Sequence, residues 1–322
     1  MEKMPLIQIF ALGGTIAMTP GTAGVVPSLD AKSLVDAVPS LTDIAEIQAE
    51  TLAAVGSANL SFQRIYDVCR RAEAADCDGV VITQGTDTLE ETSFLASLLY
   101  KGDKPLMFTG AMRTPNQPGA DGPSNLYNAV LAAASGEVNG VSLLMNTELH
   151  DPALVAKEHT AEVSAFVSRG FGPVARIIEG EVRTLRVVEP IADIEFCEPE
   201  SVALVSAVLD LEPVFIEKAP DLGFKGMVIE AFGAGHLSEA WADAAAELAR
   251  EMPVVLSTRI TEGPVLENSY GYKGAEIDLL NRGLLPSGYL KGRKARILLS
   301  LLLAENAGTA KARFIEAVRK LG

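Results

Sequence analysis

Short apolar runs alternate with longer stretches of helical period along most of this chain. The apolar runs are rich in Val, Ile, Leu and Phe, a composition typical of strands that are buried on both faces. They lie at residues 6–12, 79–83, 106–109, 141–145, 226–230 and 254–257. The helical stretches are residues 61–75, 90–100, 124–135 and 239–251. This alternation predicts an α/β fold with a mostly parallel sheet flanked by helices.

The segment 187–201 interrupts this pattern. It contains Pro190, Pro199 and several acidic residues, and it has no helical period. We interpret it as a linker between a larger N-terminal domain, residues 1–186, and a smaller C-terminal α/β domain, residues 202–322. A length of 322 residues is ordinary for two such domains.

The net charge of the chain limits the kinds of molecule that it is expected to bind. Acidic residues outnumber basic residues by 42 to 27, and the net charge is −15. Such a chain is not expected to bind nucleic acid or an anionic membrane as its main partner. The apolar stretch near the C-terminus, residues 297–304, is far shorter than the roughly 20 residues of a membrane span. The first residues do not have the pattern of a secretion signal, so a cytoplasmic location is expected.

Cysteine and histidine are both scarce, with three residues of each. The cysteines form no CxxC pair, so we expect neither a structural zinc site nor a disulfide framework. The sequence also lacks GxSxG, SxxK, HExxH and Walker A motifs. His150 and His159 lie in a polar region, where exposed structural roles are expected.

Two strand-end loops carry candidate chemistry. Thr15 follows Gly13 and Gly14 after the first predicted strand, and Thr86 and Asp87 follow Gly85 after the strand 79–83. Ligands of open α/β sheets bind at the carboxyl ends of the strands, where glycine lets the backbone approach them closely. Each loop taken alone is also explained by turn and helix N-cap residues.

A threonine hydroxyl becomes a good nucleophile only when a base takes its proton. Lysine is the natural candidate in a chain with so few histidines, and Lys157 follows the apolar triplet Leu154–Ala156. A solvated surface lysine is the alternative, and the local sequence alone does not exclude it.

These loops belong to longer motifs, LGGTIA at residues 12–17 and VITQGTDTLEET at residues 81–92. Supporting segments are TGAMR at 109–113, ADGPSNL at 120–126 and KAR at 294–296. From about Leu6 to the C-terminal helix, the chain resembles the bacterial homotetrameric L-asparaginases of the asparaginase/glutaminase family. The second motif is the specific one, because a lone GGT is common.

The resemblance implies an amidohydrolase that converts L-asparagine to L-aspartate and ammonia, with glutaminase activity at most minor and without a cofactor or metal. It also implies a homotetramer whose active sites lie at a dimer interface. Thr15 would be the nucleophile that forms the acyl-enzyme, and Thr86, Asp87 and Lys157 would assist proton transfer and water attack. Asp87 would also hold the substrate α-ammonium.

The resemblance assigns further residues to substrate binding. Ser57 would bind the α-carboxylate, and Glu276 would reach the α-ammonium site from a neighbouring subunit, unless it is an ordinary exposed helix glutamate. The remaining pocket residues would be Gly14, Gly56, Ala58, Gly85, Ala111 and Met112.

The chain departs from the family pattern in several places. The loop 18–29 has no aromatic residue where many relatives have a tyrosine, although Gly21 and Gly24 still suit a mobile lid. Ala58 stands where relatives often have a glutamine, which makes the asparagine-to-glutamine preference uncertain. His236 replaces a common asparagine and either supports a turn or contacts a site across the subunit boundary. Gly102 stands where a periplasmic relative has the disulfide partner of the position near Cys77, as suits a reducing compartment.

Two other functions remain open at this stage. A non-catalytic amino-acid-binding protein would keep the crevice and Ser57 but would not need both threonines and Lys157. A subunit of an amidotransferase, which releases ammonia for a partner acting on tRNA, would use the same fold. Such subunits typically carry an extra N-terminal domain, whereas the first strand here begins within ten residues.

Overall fold

The computed structural model describes residues 3–21, 24–27 and 30–322. The chain divides into two compact units, Met1–Pro190 and Ile191–Gly322. The boundary falls inside the segment 187–201 that was predicted to be a linker. Both units are α/β, so the predicted fold class is confirmed.

The larger unit is built around an eight-stranded sheet. Its strands in the main sheet and in two small two-stranded sheets are β1 (Leu6–Gly13), β2 (Met18–Gly21), β3 (Gly24–Pro27), β4 (Glu46–Val55), β5 (Gly79–Thr83), β6 (Leu106–Thr109), β7 (Val141–Met145), β8 (Glu148–His150), β9 (Ala156–Lys157), β10 (Phe166–Val167), β11 (Ala175–Ile178) and β12 (Glu181–Thr184). Its helices are α1 (Ala31–Asp36), α2 (Phe62–Ala74), α3 (Leu89–Leu99) and α4 (Gly122–Ala134).

The main sheet runs in the order β12-β11-β8-β7-β6-β5-β1-β4. The five neighbouring strands β4, β1, β5, β6 and β7 pair in parallel. Strands β8, β11 and β12 extend the sheet with antiparallel pairings. Every residue of β5, β6 and β7 is buried, as their nearly continuous apolar sequences predicted. The predicted mostly parallel sheet is therefore confirmed.

Strand β4 was not predicted, although it pairs with β1 along its length. It lies at the sheet edge, and most of its side chains are exposed or half-buried. Glu46, Gln48, Glu50 and Thr51 interrupt its apolar residues, so its sequence gives no buried-strand signal. The short antiparallel strands β8, β11 and β12 were missed because three or four residues carry little periodicity.

Within the predicted lid, residues 18–29, strands β2 and β3 pair as an antiparallel hairpin. Residues 22, 23, 28 and 29 of that segment lie outside the described part of the chain.

The smaller unit contains a four-stranded parallel sheet in the order β13-β14-β15-β16. Its strands are β13 (Val202–Ser206), β14 (Gly226–Ala231), β15 (Val254–Thr258) and β16 (Leu285–Pro286). Its helices are α5 (Val214–Lys218), α6 (Glu239–Glu251), α7 (Glu276–Asn281), α8 (Gly292–Asn306) and α9 (Ala310–Arg319).

The apolar stretch 297–304 forms the middle of α8, where Ile297, Leu298 and Leu299 are almost fully buried. It is therefore a core helix of the smaller unit. Among the helices in the described part of the chain, none combines the length and apolar character needed to cross a bilayer.

Helix α2 offers a test of how its first turn is stabilised. The Ser61 hydroxyl accepts a hydrogen bond from the Arg64 backbone N–H (3.2 Å), so it caps the helix N-terminus. We expect Ser61→Ala to lower the free energy of unfolding by about 1 kcal/mol, because that N–H loses its acceptor. Ser61→Asp restores both an acceptor and a favourable charge. Urea unfolding of the two variants checks this, and an equal loss in both would contradict it.

Candidate active site

Four loops converge at the carboxyl ends of adjacent strands of the main sheet. Thr15 follows β1, Ser57 follows β4, Thr86 follows β5, and Ala111 follows β6. These four strands lie side by side in the order β6-β5-β1-β4. The arrangement is the crevice in which parallel α/β sheets bind ligands.

The first two motifs meet through backbone alone. Gly14 has a positive φ of 85°, and a Cβ there would lie 2.0 Å from the Gly85 nitrogen and 2.2 Å from its Cα. No side chain fits in that space, so the glycine at position 14 lets the two loops touch. The contact brings together the loops that carry Thr15 and Thr86. Thr15 itself is half-buried at the start of a 3₁₀ turn, Thr15–Ala17.

Ser57 packs against the other side of Gly85. A Cβ on Gly85 would lie 2.9 Å from the Ser57 hydroxyl oxygen. Ser57 is buried, its hydroxyl accepts from the Thr88 N–H (3.4 Å), and its carbonyl accepts from the Thr88 hydroxyl (3.0 Å). The Ser57 hydroxyl therefore keeps a proton that it can donate. Its neighbours are half-buried Gly56 and exposed Ala58.

Lys157 joins Thr86 and Asp87. Its Nζ lies 2.9 Å from the Thr86 hydroxyl oxygen and 3.0 Å from Asp87 Oδ1. Thr86 is only 5% exposed, and the Lys157 side chain is 17% exposed, whereas the Asp87 side chain is 74% exposed. Lys157 is therefore not a solvated surface lysine, and the alternative interpretation is wrong. The geometry gives a largely buried hydroxyl an amine that can exchange a proton with it.

The loop after β6 is held by two side chains that the sequence analysis did not single out. Asp121 accepts hydrogen bonds from the backbone N–H groups of Met112 and Arg113, each at 2.9 Å. Buried Asn125 donates to the Gly110 carbonyl (3.0 Å) and to Asp121 (3.1 Å). These contacts fix the peptides around Ala111, which is fully buried, and half-buried Met112. Asp121 immediately precedes α4, so its sequence context gave only a helix-start signal.

Glu276 lies in the smaller unit and is fully buried at the first turn of α7. One carboxylate oxygen accepts from the N–H groups of Ser269 (2.9 Å) and Tyr270 (2.6 Å), and the other pairs with His236 Nε2 (3.1 Å). Burial opposes ionisation, but these donors outweigh it and hold the pKa of Glu276 below its ordinary value. The interpretation as an exposed helix glutamate is wrong.

His236 lies at the end of a turn that its backbone closes. Its backbone N–H donates to the Phe232 carbonyl, and the two residues form an isolated antiparallel β-bridge. The ring does more than that, because Nε2 donates to Glu276 and Nδ1 lies 3.1 Å from the Tyr272 hydroxyl. Sequence inspection offered no signal for this pairing across 40 residues.

The other two histidines behave differently from each other. His159 is exposed and accepts from the N–H groups of Ala161 and Glu162, so its predicted structural role is confirmed. His150 was also expected to be exposed, and this prediction is wrong. It is buried in β8, with Nδ1 3.0 Å from the Ser168 hydroxyl. Among the described residues, no group of three or more His, Cys, Asp or Glu side chains is arranged to hold a metal ion.

Comparison with known proteins gives matches over most of the chain. Residues 6–189 match the family model described as asparaginase, N-terminal, and residues 201–315 match the glutaminase/asparaginase C-terminal domain. L-asparaginase 2 of Escherichia coli is 34% identical over 94% of this chain and 90% of that protein. A glutamyl-tRNA(Gln) amidotransferase subunit of Aeropyrum pernix is 34% identical over 98% of this chain and 77% of that protein.

A solved structure agrees with these sequence matches. The crystal structure of a probable cytoplasmic L-asparaginase from Campylobacter jejuni superposes with a TM-score of 0.86 at 31% identity. The superposition covers 97% of this chain and 99% of the Campylobacter jejuni chain. With both family domains matched in order along the chain, the protein belongs to the asparaginase family.

Proposed function

We propose that this protein hydrolyses the side-chain amide of L-asparagine to L-aspartate and ammonia, with L-glutamine as at most a minor substrate. The observation that carries the proposal is the placement of Lys157 Nζ between Thr86 and Asp87. A binding protein needs no such amine–hydroxyl pair, whereas an acyl-transfer enzyme does. The proposal assigns this chemistry to residues 1–186.

The reaction has two halves. The Thr15 oxygen attacks the amide carbon, its proton passes to the amide nitrogen, and the carbon–nitrogen bond breaks to release ammonia and leave an ester-linked acyl-enzyme. Water then attacks the ester, giving up a proton as the Thr15 oxygen leaves with one, and L-aspartate is released. Thr86, Lys157 and Asp87 carry protons in these steps. Backbone N–H groups of the glycine loops are suited to stabilise the oxyanion.

The substrate ends are recognised by charge and hydrogen bonding. Asp87 and Glu276 are acceptors for the α-ammonium, and Ser57 is a donor for the α-carboxylate. Gly14, Gly56, Ala58, Gly85, Ala111 and Met112 line the remaining surface. The short Ala58 side chain offers no hydrogen bond to the substrate, so selectivity rests on the other residues.

The active form in this proposal is a homotetramer, with Glu276 supplied to each site by a neighbouring copy across a dimer interface. The smaller unit presents an exposed apolar segment that includes Leu209, Val214 and Leu222, as is common where copies associate. We place the protein in the cytoplasm. Free thiols at Cys69, Cys77 and Cys197 suit a reducing compartment.

Ammonia release from L-asparagine, L-glutamine and D-asparagine tests the activity directly. We expect release from L-asparagine, a slower rate with L-glutamine, and loss of both in Thr15→Ala. An inactive but folded wild-type protein would favour the binding function. Activity that appears only with a partner would favour the amidotransferase role named for the Aeropyrum pernix relative.

The proton-transfer group is tested by Thr86→Val and Lys157→Met. We expect each variant to fold and to lose turnover by roughly a thousandfold or more, because each removes one member of a group that acts together. Lys32→Met is the matched control, since Lys32 is exposed on α1. Steady-state kinetics and circular dichroism measure the two effects. Wild-type turnover in either site variant would contradict the assigned role.

Mixing two inactive variants tests the role of Glu276. Thr15→Ala and Glu276→Ala are each expected to be inactive alone. If each site takes Thr15 from one copy and Glu276 from its neighbour, a mixed dimer contains one site with both native residues. Unfolding and refolding the variants together should therefore restore activity, whereas each variant refolded alone should not recover. No recovery in the mixture, with oligomers formed, would mean that Glu276 does not act across copies.

A further inference from the structure

Lys157 lies on a strand that has little support of its own. Strand β9 is two residues long and pairs only with β10, which is equally short, in a sheet separate from the main one. Two-stranded pairings of this length are marginal in water. A lysine side chain also has four rotatable bonds, so the position of its amine depends on where its backbone is anchored.

The Glu90 carboxylate anchors Lys157 from outside the β9–β10 pair. Its Oε2 accepts a hydrogen bond of 2.8 Å from the Lys157 backbone N–H, over 67 residues of sequence. Glu90 is only 2% exposed, although glutamate is rarely so deeply buried. A buried carboxylate is costly unless it is well bonded, so its retention at this point calls for a physical reason.

The position of Glu90 on the chain gives that reason. It lies in the first turn of α3, three residues after Asp87 and four after Thr86. The same rigid helix start therefore holds the backbone of Lys157 through Glu90 and presents the two groups that its Nζ contacts. Lys157 is thus bound at both ends: its backbone N–H lies 2.8 Å from Glu90 Oε2, and its Nζ lies 2.9 Å from the Thr86 hydroxyl oxygen and 3.0 Å from Asp87 Oδ1.

We propose that Glu90 is a positioning residue for Lys157: it fixes the lysine backbone so that Nζ reaches Thr86 and Asp87. This inference rests on the proposed function for its kinetic consequence, but its structural part stands independently. It predicts that the hydrogen-bond acceptor matters more than the negative charge. Glutamine at position 90 keeps an acceptor oxygen of similar reach, and leucine removes it.

The kinetic test compares Glu90→Gln with Glu90→Leu. We expect Glu90→Leu to lower kcat by about 30- to 100-fold with KM changed less than about threefold, because the amine is misplaced while substrate contacts remain. Glu90→Gln should stay within about fivefold of wild-type kcat, since the acceptor is retained. Glu91→Gln is the matched control, because it removes a charge from the same helix turn at a half-buried position. Equal losses in the Gln and Leu variants at position 90, or a loss confined to KM, would overturn the proposal.

A second readout does not depend on activity. Brief acetylation with acetic anhydride, quantified by mass spectrometry, reports the accessibility of Lys157, with exposed Lys32 as the internal reference. We expect Lys157 in Glu90→Leu to react several-fold faster than in wild type, because local release of β9 exposes the amine, and Glu90→Gln to match wild type. Unchanged labelling in Glu90→Leu would overturn the proposal. If the wild-type protein releases no ammonia but labelling follows this pattern, the proposed function fails while the positioning role of Glu90 stands.

Discussion

The backbone contact between Gly14 and Gly85 is the constraint on which the rest of the site depends. A Cβ on Gly14 would occupy the space of the Gly85 main chain, so any side chain there would push the loops after β1 and β5 apart. Thr15 and Thr86 are the next residues along these loops. Their proximity is therefore set by the missing side chain of Gly14 and by parallel pairing of β1 with β5, which ends both strands at the same edge.

The three histidines make their contacts elsewhere, and the basic side chain that contacts Thr86 and Asp87 is Lys157. His150 is buried beside Ser168, His159 lies in an exposed turn, and His236 is paired with Glu276 in the other unit. Lys157 instead reaches the Thr86 hydroxyl and the Asp87 carboxylate. An amine shared between a buried hydroxyl and an exposed carboxylate can thus link the reacting centre to water.

The sequence predicted the parts of the fold that are buried on both sides. Strands β5, β6 and β7 were located because their sequences are almost continuously apolar, and α6 because its apolar face recurs at helical spacing. Strand β4 was missed because it is an exposed edge strand in which polar residues interrupt the apolar ones. The glycine–threonine loops were visible as chemistry, but their roles came from the resemblance. The contact of Lys157 with Thr86 spans 71 residues, and periodicity does not encode such a pairing.

Support for the site comes from side chains that contact backbone, and this has a physical reason. Loops at strand ends have few ladder hydrogen bonds, so their peptides need other partners. Asp121 and Asn125 supply them to the loop after β6, and Ser57 supplies them to the start of α3. Each of these groups stands at or beside the beginning of a helix, where the chain is already rigid. Glu90 extends the same principle to β9, the least supported strand of the site, and transfers the rigidity of α3 to the one residue whose amine must be placed to within a hydrogen-bond length.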